Sequence, residues 1–69
     1  MKYCLRFFKR IDDYEGLIHT IKTDTKPYVP HVGEYIYFGD LESYIVSELH
    51  TYYDTDSTYT DVILQQVEE

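Results

Sequence analysis

The sequence predicts an all-β domain, and three observations carry that reading. Nine of its 69 residues are tyrosine and none is alanine, a bias toward residues that suit a pleated, half-buried surface. Apolar and polar residues alternate with a period of two in several runs of five to eleven residues, which places one face of each run inward. Clusters of Gly, Pro and Asp separate those runs at short intervals, as turns and connections require.

Taken in order, residues 2–10 form the first strand, with Tyr3, Leu5 and Phe7 on one face and Lys2, Cys4, Arg6 and Phe8 on the other. Residues 11–16 (Ile-Asp-Asp-Tyr-Glu-Gly) supply turn chemistry. Residues 17–24 make a second strand, with Leu17, His19 and Ile21 sharing a face, so the two pair as an antiparallel hairpin. Pro27 and Pro30 interrupt the pattern: each lacks an N–H donor, so the segment is an extended connection or an edge. Residues 34–38 form a third short strand and Gly39-Asp40-Leu41-Glu42 a turn. Residues 43–53 make a fourth strand, with Tyr44, Val46, Glu48, His50 and Tyr52 on one face and Ile45, Ser47, Leu49, Thr51 and Tyr53 on the other. Asp54-Thr55-Asp56-Ser57 turns the chain into a fifth strand near 58–67. One alternative competes over residues 40–50, where Asp40 could cap a short helix presenting Leu41, Tyr44, Ile45 and Glu48, giving an α+β variant. The β-branched and tyrosine content of the segment favours strand. The expected architecture is a five-stranded antiparallel meander, curved into a sheet or small barrel that hides its edges.

One segment carries a resemblance. Pro30-His31-Val32-Gly33-Glu34-Tyr35-Ile36, followed by Tyr44-Ile45-Val46 and a hairpin, resembles the pattern of SH3-like small barrels over about half the chain. In that fold the glycine sets the loop before a strand entering the barrel. The resemblance implies a fold and a binding role, with no catalytic residue carried across. The chain departs from true SH3 domains in having no tryptophan, so no proline-peptide groove is implied.

Size and charge narrow the function classes. Sixty-nine residues make one domain, which buries only about 60% of its unfolded surface and has little room for an enclosed active site. The single cysteine, Cys4, allows no intrachain disulfide. No run approaches the roughly 18 apolar residues of a membrane span, and no secretory signal is expected. A cytoplasmic location fits. The net charge of −7 is uneven: Lys2, Arg6, Lys9 and Arg10 stand without an acid in residues 1–10, whereas thirteen acids face only Lys22 and Lys26 in the remainder. That excess of negative charge opposes direct nucleic-acid binding, because phosphate contacts need cation density. A basic first strand beside acidic strands gains cross-strand charge pairs instead.

No catalytic constellation, metal site or cofactor motif is expected. His19, His31 and His50 lack His-x-x-His spacing. Asp54-Thr55-Asp56 resembles the opening of a calcium loop, but Tyr59 and Gln65 stand where that loop needs glycine and glutamate. Cys4 reads as a small strand residue. The candidate site is a partner-binding surface: Tyr37, Glu48, Tyr52, Tyr53, Asp54, Asp56 and Asp61 present tyrosines and carboxylates together. The expectation is a small acidic module that docks on a basic protein partner. In its sharpest form it is an inhibitor that mimics nucleic acid, with Asp40 and Glu42 joining these carboxylates. Small acidic β proteins encoded by phages and mobile elements often look like this, so a phage or mobile-element origin fits the expectation. The alternative class is a self-associating structural subunit, a homo-oligomer that adds buried area to a thin core. A further alternative, which the net charge opposes, is a small nucleic-acid-binding barrel using Lys2, Arg6, Lys9 and Arg10 with Tyr3 or Phe8 stacking on bases.

Overall fold

The computed structural model describes residues 2–11, 13–38 and 43–67. Alternation turns into five strands: β1 (Lys2–Ile11), β2 (Tyr14–Thr23), β3 (Tyr35–Tyr37), β4 (Ser43–Tyr53) and β5 (Ser57–Gln66). They form one sheet in the order β2-β1-β5-β4-β3, curled into a half-barrel, with no helix among the described residues. The expected all-β, five-stranded curved sheet is what the chain forms. Over 43–50 the helical alternative does not form. Residues 40–42, its expected start, lie outside the described residues.

The connectivity adds something the strand list does not contain. β1 pairs with β2, β4 with β5 and β3 with β4, all antiparallel, but β1 and β5 pair in parallel, from Lys2 opposite Ser57 to Lys9 opposite Leu64. A β1–β2 hairpin and a β3–β4–β5 meander are thus joined in the middle of the sheet, through the first and last strands of the chain. The β1–β2 ladder also runs further toward its turn than expected, up to Ile11 opposite Tyr14. Glu15, which reads as a turn residue, sits opposite Arg10 and pairs with it.

Two register shifts bend the sheet. Ile18 is an extra residue in β2, between His19 opposite Phe7 and Leu17 opposite Phe8. Ser47 is an extra residue in β4, between Val46 opposite Leu64 and Glu48 opposite Ile63. The β1–β5 register is unbroken, so a straight central pair is flanked on each side by a bulged strand at nearly the same height. Bulges of this kind kink a strand and increase its twist, which gives the sheet its curl. Each also inverts the side-chain alternation beyond it. Leu17 therefore does not share a face with His19 and Ile21. On β4, Tyr44 and Val46 share a face with Leu49, Thr51 and Tyr53, while Glu48, His50 and Tyr52 join Ile45 on the other. This corrects the faces expected from strict alternation.

The buried cluster of Leu5, Phe7, Tyr44, Val46, Val62 and Leu64 occupies one face; burying each such side chain contributes about 1.5–3 kcal/mol. Residues 24–34 connect β2 to β3, the two opposite edges, so they must cross the width of the sheet. Val29 packs against the cluster and Pro30 is buried, which puts this proline-bearing strap over the core. The strap is fastened at its end: Gly33 N–H donates to Val46 O at 2.9 Å, and Val46 N–H donates to Glu34 O at 2.9 Å. Gly33 has φ of 94°, a left-handed conformation that favours glycine. Tyr28 Oη donates to the Glu34 carboxylate, with its oxygens at 2.5 and 2.9 Å. That bond raises the Tyr28 phenol above its ordinary pKa. Phe38, just past β3, lies 5.3 Å from Phe7, 5.8 Å from Tyr44 and 5.6 Å from His19 between ring centroids. One ring thus bridges β4 and β1 to the far edge strand β2.

Candidate functional site

The strap crosses one face only, and among the described residues no segment covers the opposite, bare face of the sheet. Cys4, Arg6, Phe8 and Arg10 of β1 lie there, beside Tyr59, Asp61, Ile63 and Gln65 of β5 and Ile45, Glu48, His50 and Tyr52 of β4. Tyr35 and Tyr37 of β3 join them, because Ile36 between them packs against the core. Four tyrosines on this face are exposed: Tyr35 at 57%, Tyr37 at 68%, Tyr52 at 53% and Tyr59 at 36%.

An ion pair holds the middle of the face. The parallel register sets Arg6 opposite Asp61, and the guanidinium grips the carboxylate with both arms, Nε to Oδ1 at 2.7 Å and Nη2 to Oδ2 at 3.0 Å. The Arg6 carbon Cζ lies 5.6 Å from the Phe8 ring centre and 5.9 Å from that of Tyr59, adding cation–π attraction. The hydrogen bond to Asp61 raises the Arg6 pKa, burial opposing it, so the guanidinium stays charged. Tyr52, Tyr59, Arg6 and Asp61 together line a shallow hollow of about 300 Å³.

A second set of charges runs across the strands. Arg10 Nη2 is 2.6 Å from Glu15 Oε2 on β2 and 2.5 Å from Glu48 Oε2 on β4. The latter contact must pass over β5, which lies between β1 and β4. Glu48 Oε1 is in turn 3.5 Å from His50 Nε2. The Arg10 hydrogen bond is the main cause that lowers the Glu48 pKa, while Glu15 and then Glu48 raise that of Arg10. Ile63 beneath this layer is only 3% exposed, although no strap covers it.

Of the residues singled out in the sequence, Tyr37, Glu48, Tyr52 and Asp61 come together on the bare face. Tyr53 does not: the Ser47 bulge puts it on the strap side, where it is 83% exposed and lines a cleft with Lys26, Pro27 and Thr51. Asp54 and Asp56 lie at the β4–β5 turn and are exposed; Asp54 Oδ1 accepts from Thr55 N–H at 2.8 Å. Asp40 and Glu42 lie outside the described residues. Asp61 and Glu48 are not free carboxylates, since arginines neutralise both. Arg6, Phe8, Arg10 and Tyr59 were absent from the sequence-based site. Tyr35 could have been included through its alternation with Tyr37, whereas Arg6 and Asp61 meet only through the parallel pairing of distant strands.

At the other end of the face, Lys2, Cys4, Lys22, Asp24, Ser57 and Tyr59 border an open cleft of about 380 Å³, and the free Cys4 thiol there is buried. Among the described residues no cluster of three or more His, Cys, Asp or Glu could hold a metal ion, and no helix is long and apolar enough to cross a membrane. Comparison of the chain with protein-family models, with curated proteins and with solved structures finds no match.

Proposed function

We propose that this chain is a small acidic protein-binding module whose bare sheet face docks on a basic protein partner. The observation that carries the reading is the contrast between a strapped face and an uncovered one bearing four exposed tyrosines around a fixed Arg6–Asp61 pair. Tyrosine offers a large amphipathic contact area with few torsions to immobilise. A central ion pair with both partners satisfied gives that surface a fixed shape. Attraction of the partner would come from acids that no arginine neutralises, Asp54 and Asp56 at the hairpin tip among them, together with the net charge of −7.

The geometry favours this plain form over nucleic-acid mimicry. A mimic needs an array of free carboxylates at phosphate-like intervals, and Asp61 and Glu48, two members of the expected array, are held by Arg6 and Arg10. The same pairings leave Lys2 and Lys9 as the cations of β1 not held by a carboxylate among the described residues, which weakens direct nucleic-acid binding as well.

Affinity capture from lysate of the source organism or its host tests the reading, with native protein and a Tyr35→Ser/Tyr52→Ser variant as parallel baits. A basic protein retained by native bait, released by salt and lost with the variant is the expected result. Retention indifferent to both salt and the two tyrosines would overturn the assignment of the face. No specific retention by native bait would overturn the binding role.

A further inference from the structure

The two edges of the sheet are unlike. β3 spans three residues and follows the proline-bearing strap, whereas β2 runs for ten residues from Tyr14 to Thr23 without a proline. Among the described residues β2 pairs with β1 alone, so its outer side presents a row of backbone donors and acceptors that no described strand meets. It also leaves Leu17 56%, Ile18 42% and Ile21 39% exposed. Sheet proteins usually shorten, charge or cover such an edge, because it is a template for another strand.

Charge selects the occupant. In a chain of net charge −7, β2 carries one acid, Glu15, and one base, Lys22. The strand itself is therefore neutral, and two copies can match each other's Glu15 and Lys22, with Asp13 and Asp24 meeting just beyond its ends. Seven positions apart, Glu15 and Lys22 would lie on opposite faces of a regular strand. The extra residue Ile18 changes this: Glu15 stands opposite Arg10 and Lys22 opposite Cys4, both on the bare face. Antiparallel pairing about a two-fold axis perpendicular to the sheet requires opposed residues to share a face. A register with Glu15 opposite Lys22 meets that condition, and it also sets Leu17 opposite Thr20 and Gly16 opposite Ile21, each pair on one face, with the extra residue Ile18 meeting His19 beside the axis. Arg10 contacts only Oε2 of Glu15, leaving Oε1 without a partner among the described residues.

We propose that a second copy of this chain pairs with the free edge of β2, antiparallel, with Glu15 of each copy opposite Lys22 of the other. The result is a continuous ten-stranded sheet whose two bare faces lie on the same side. This inference is independent of what those faces bind.

The test is solution mass by sedimentation equilibrium over a range reaching hundreds of micromolar, using native protein, Glu15→Lys, Lys22→Glu and an equimolar mixture of the two variants. Native protein should reach twice its 8.3 kDa chain mass. Each variant alone places like charges at both ends of the interface and should dimerise at least about tenfold more weakly. The mixture restores both opposite-charge pairs and should recover the native mass. Lys22→Glu leaves the Arg10–Glu15 pair intact, and circular dichroism checks the fold of each variant. A native protein that stays monomeric overturns the proposal. So does a mass growing beyond the dimer, or a mixture that associates no better than its parts.

Discussion

The two faces of this sheet use the same residue types to opposite ends. On the strapped face Tyr44 is 3% exposed and packs with Leu5, Phe7, Val46, Val62 and Leu64. On the bare face Tyr35, Tyr37 and Tyr52 stand more than half exposed, and order comes from arginine–carboxylate contacts across strands. What separates the faces is the path of residues 24–34. A connection between opposite edges had to cross one face, and the face it crossed became the interior. The other was left to organise itself with Arg6–Asp61 and Glu15–Arg10–Glu48. Stability should therefore reside mainly on one side and recognition on the other.

The largest effect expected from that division lies in the strapped core. Leu64→Ala removes a side chain with no exposed surface and should cost about 2–5 kcal/mol, a large part of the 5–15 kcal/mol typical of a whole domain. Urea unfolding measures it, and a loss below about 1 kcal/mol would mean that the core is not where the strap places it. Phe38→Ala comes next, at roughly 2–3 kcal/mol, since a half-buried ring loses less than the 3–5 typical of a fully buried one. Because Phe38 reaches His19, amide exchange in β2 should rise along with the loss of stability. If exchange there is unchanged, Phe38 does not tie the edges together.

Asp61→Asn keeps the shape of the bare face but removes the charge facing Arg6. With the Arg6 side chain 38% exposed, water limits the loss to about 1 kcal/mol. A double-mutant cycle with Arg6→Met should return a coupling of that order, and zero coupling would remove the pair from the account of that face. Smaller again is the contribution of Glu48. Its folded pKa lies below its unfolded one because Arg10 bonds its charged form. The native state therefore binds the proton less readily. Its stabilisation is complete above the ordinary carboxylate range near pH 4.3 and disappears as pH falls through the lowered folded value. Carboxyl NMR should show Glu48 titrating below a free glutamate, and Arg10→Met should bring it back up. Tyr52→Ser should move stability by less than about 0.5 kcal/mol while weakening partner capture. A large destabilisation would place Tyr52 in the scaffold instead.

Much of the fold was legible because alternation and punctuation are local. Strand β4 begins and ends where the pattern of residues 43–53 does, and Pro27 and Pro30 marked the strap as something other than a central strand. Faces were legible only as far as the first bulge. Nothing about Ile18 or Ser47 distinguishes them from their neighbours, yet each reverses every assignment beyond it, which is how Tyr53 moved to the strap side and Leu17 to the bare face. The candidate site suffered from distance in the chain. Asp61 reads as a free surface acid until the parallel register brings it against Arg6, 55 positions away. Tyrosines were easier to place than carboxylates: the exposure of Tyr37 and Tyr52 follows from the strand pattern, whereas the surroundings of an acid depend on which cation reaches it.

The parallel contact of β1 with β5 has a consequence in time. Of the five strands β1 leaves the ribosome first, yet half of its backbone bonds wait for the strand translated last. Until then the chain can hold a hairpin and, later, part of a meander, but not the layer that joins them, because Phe7 and Val62 become neighbours only in that final step. Closing so long a loop slows folding relative to a chain of local hairpins. It also makes assembly all-or-none: removing the β5 strand strips β1 and β4 of their shared neighbour at once, leaving two fragments rather than a smaller sheet.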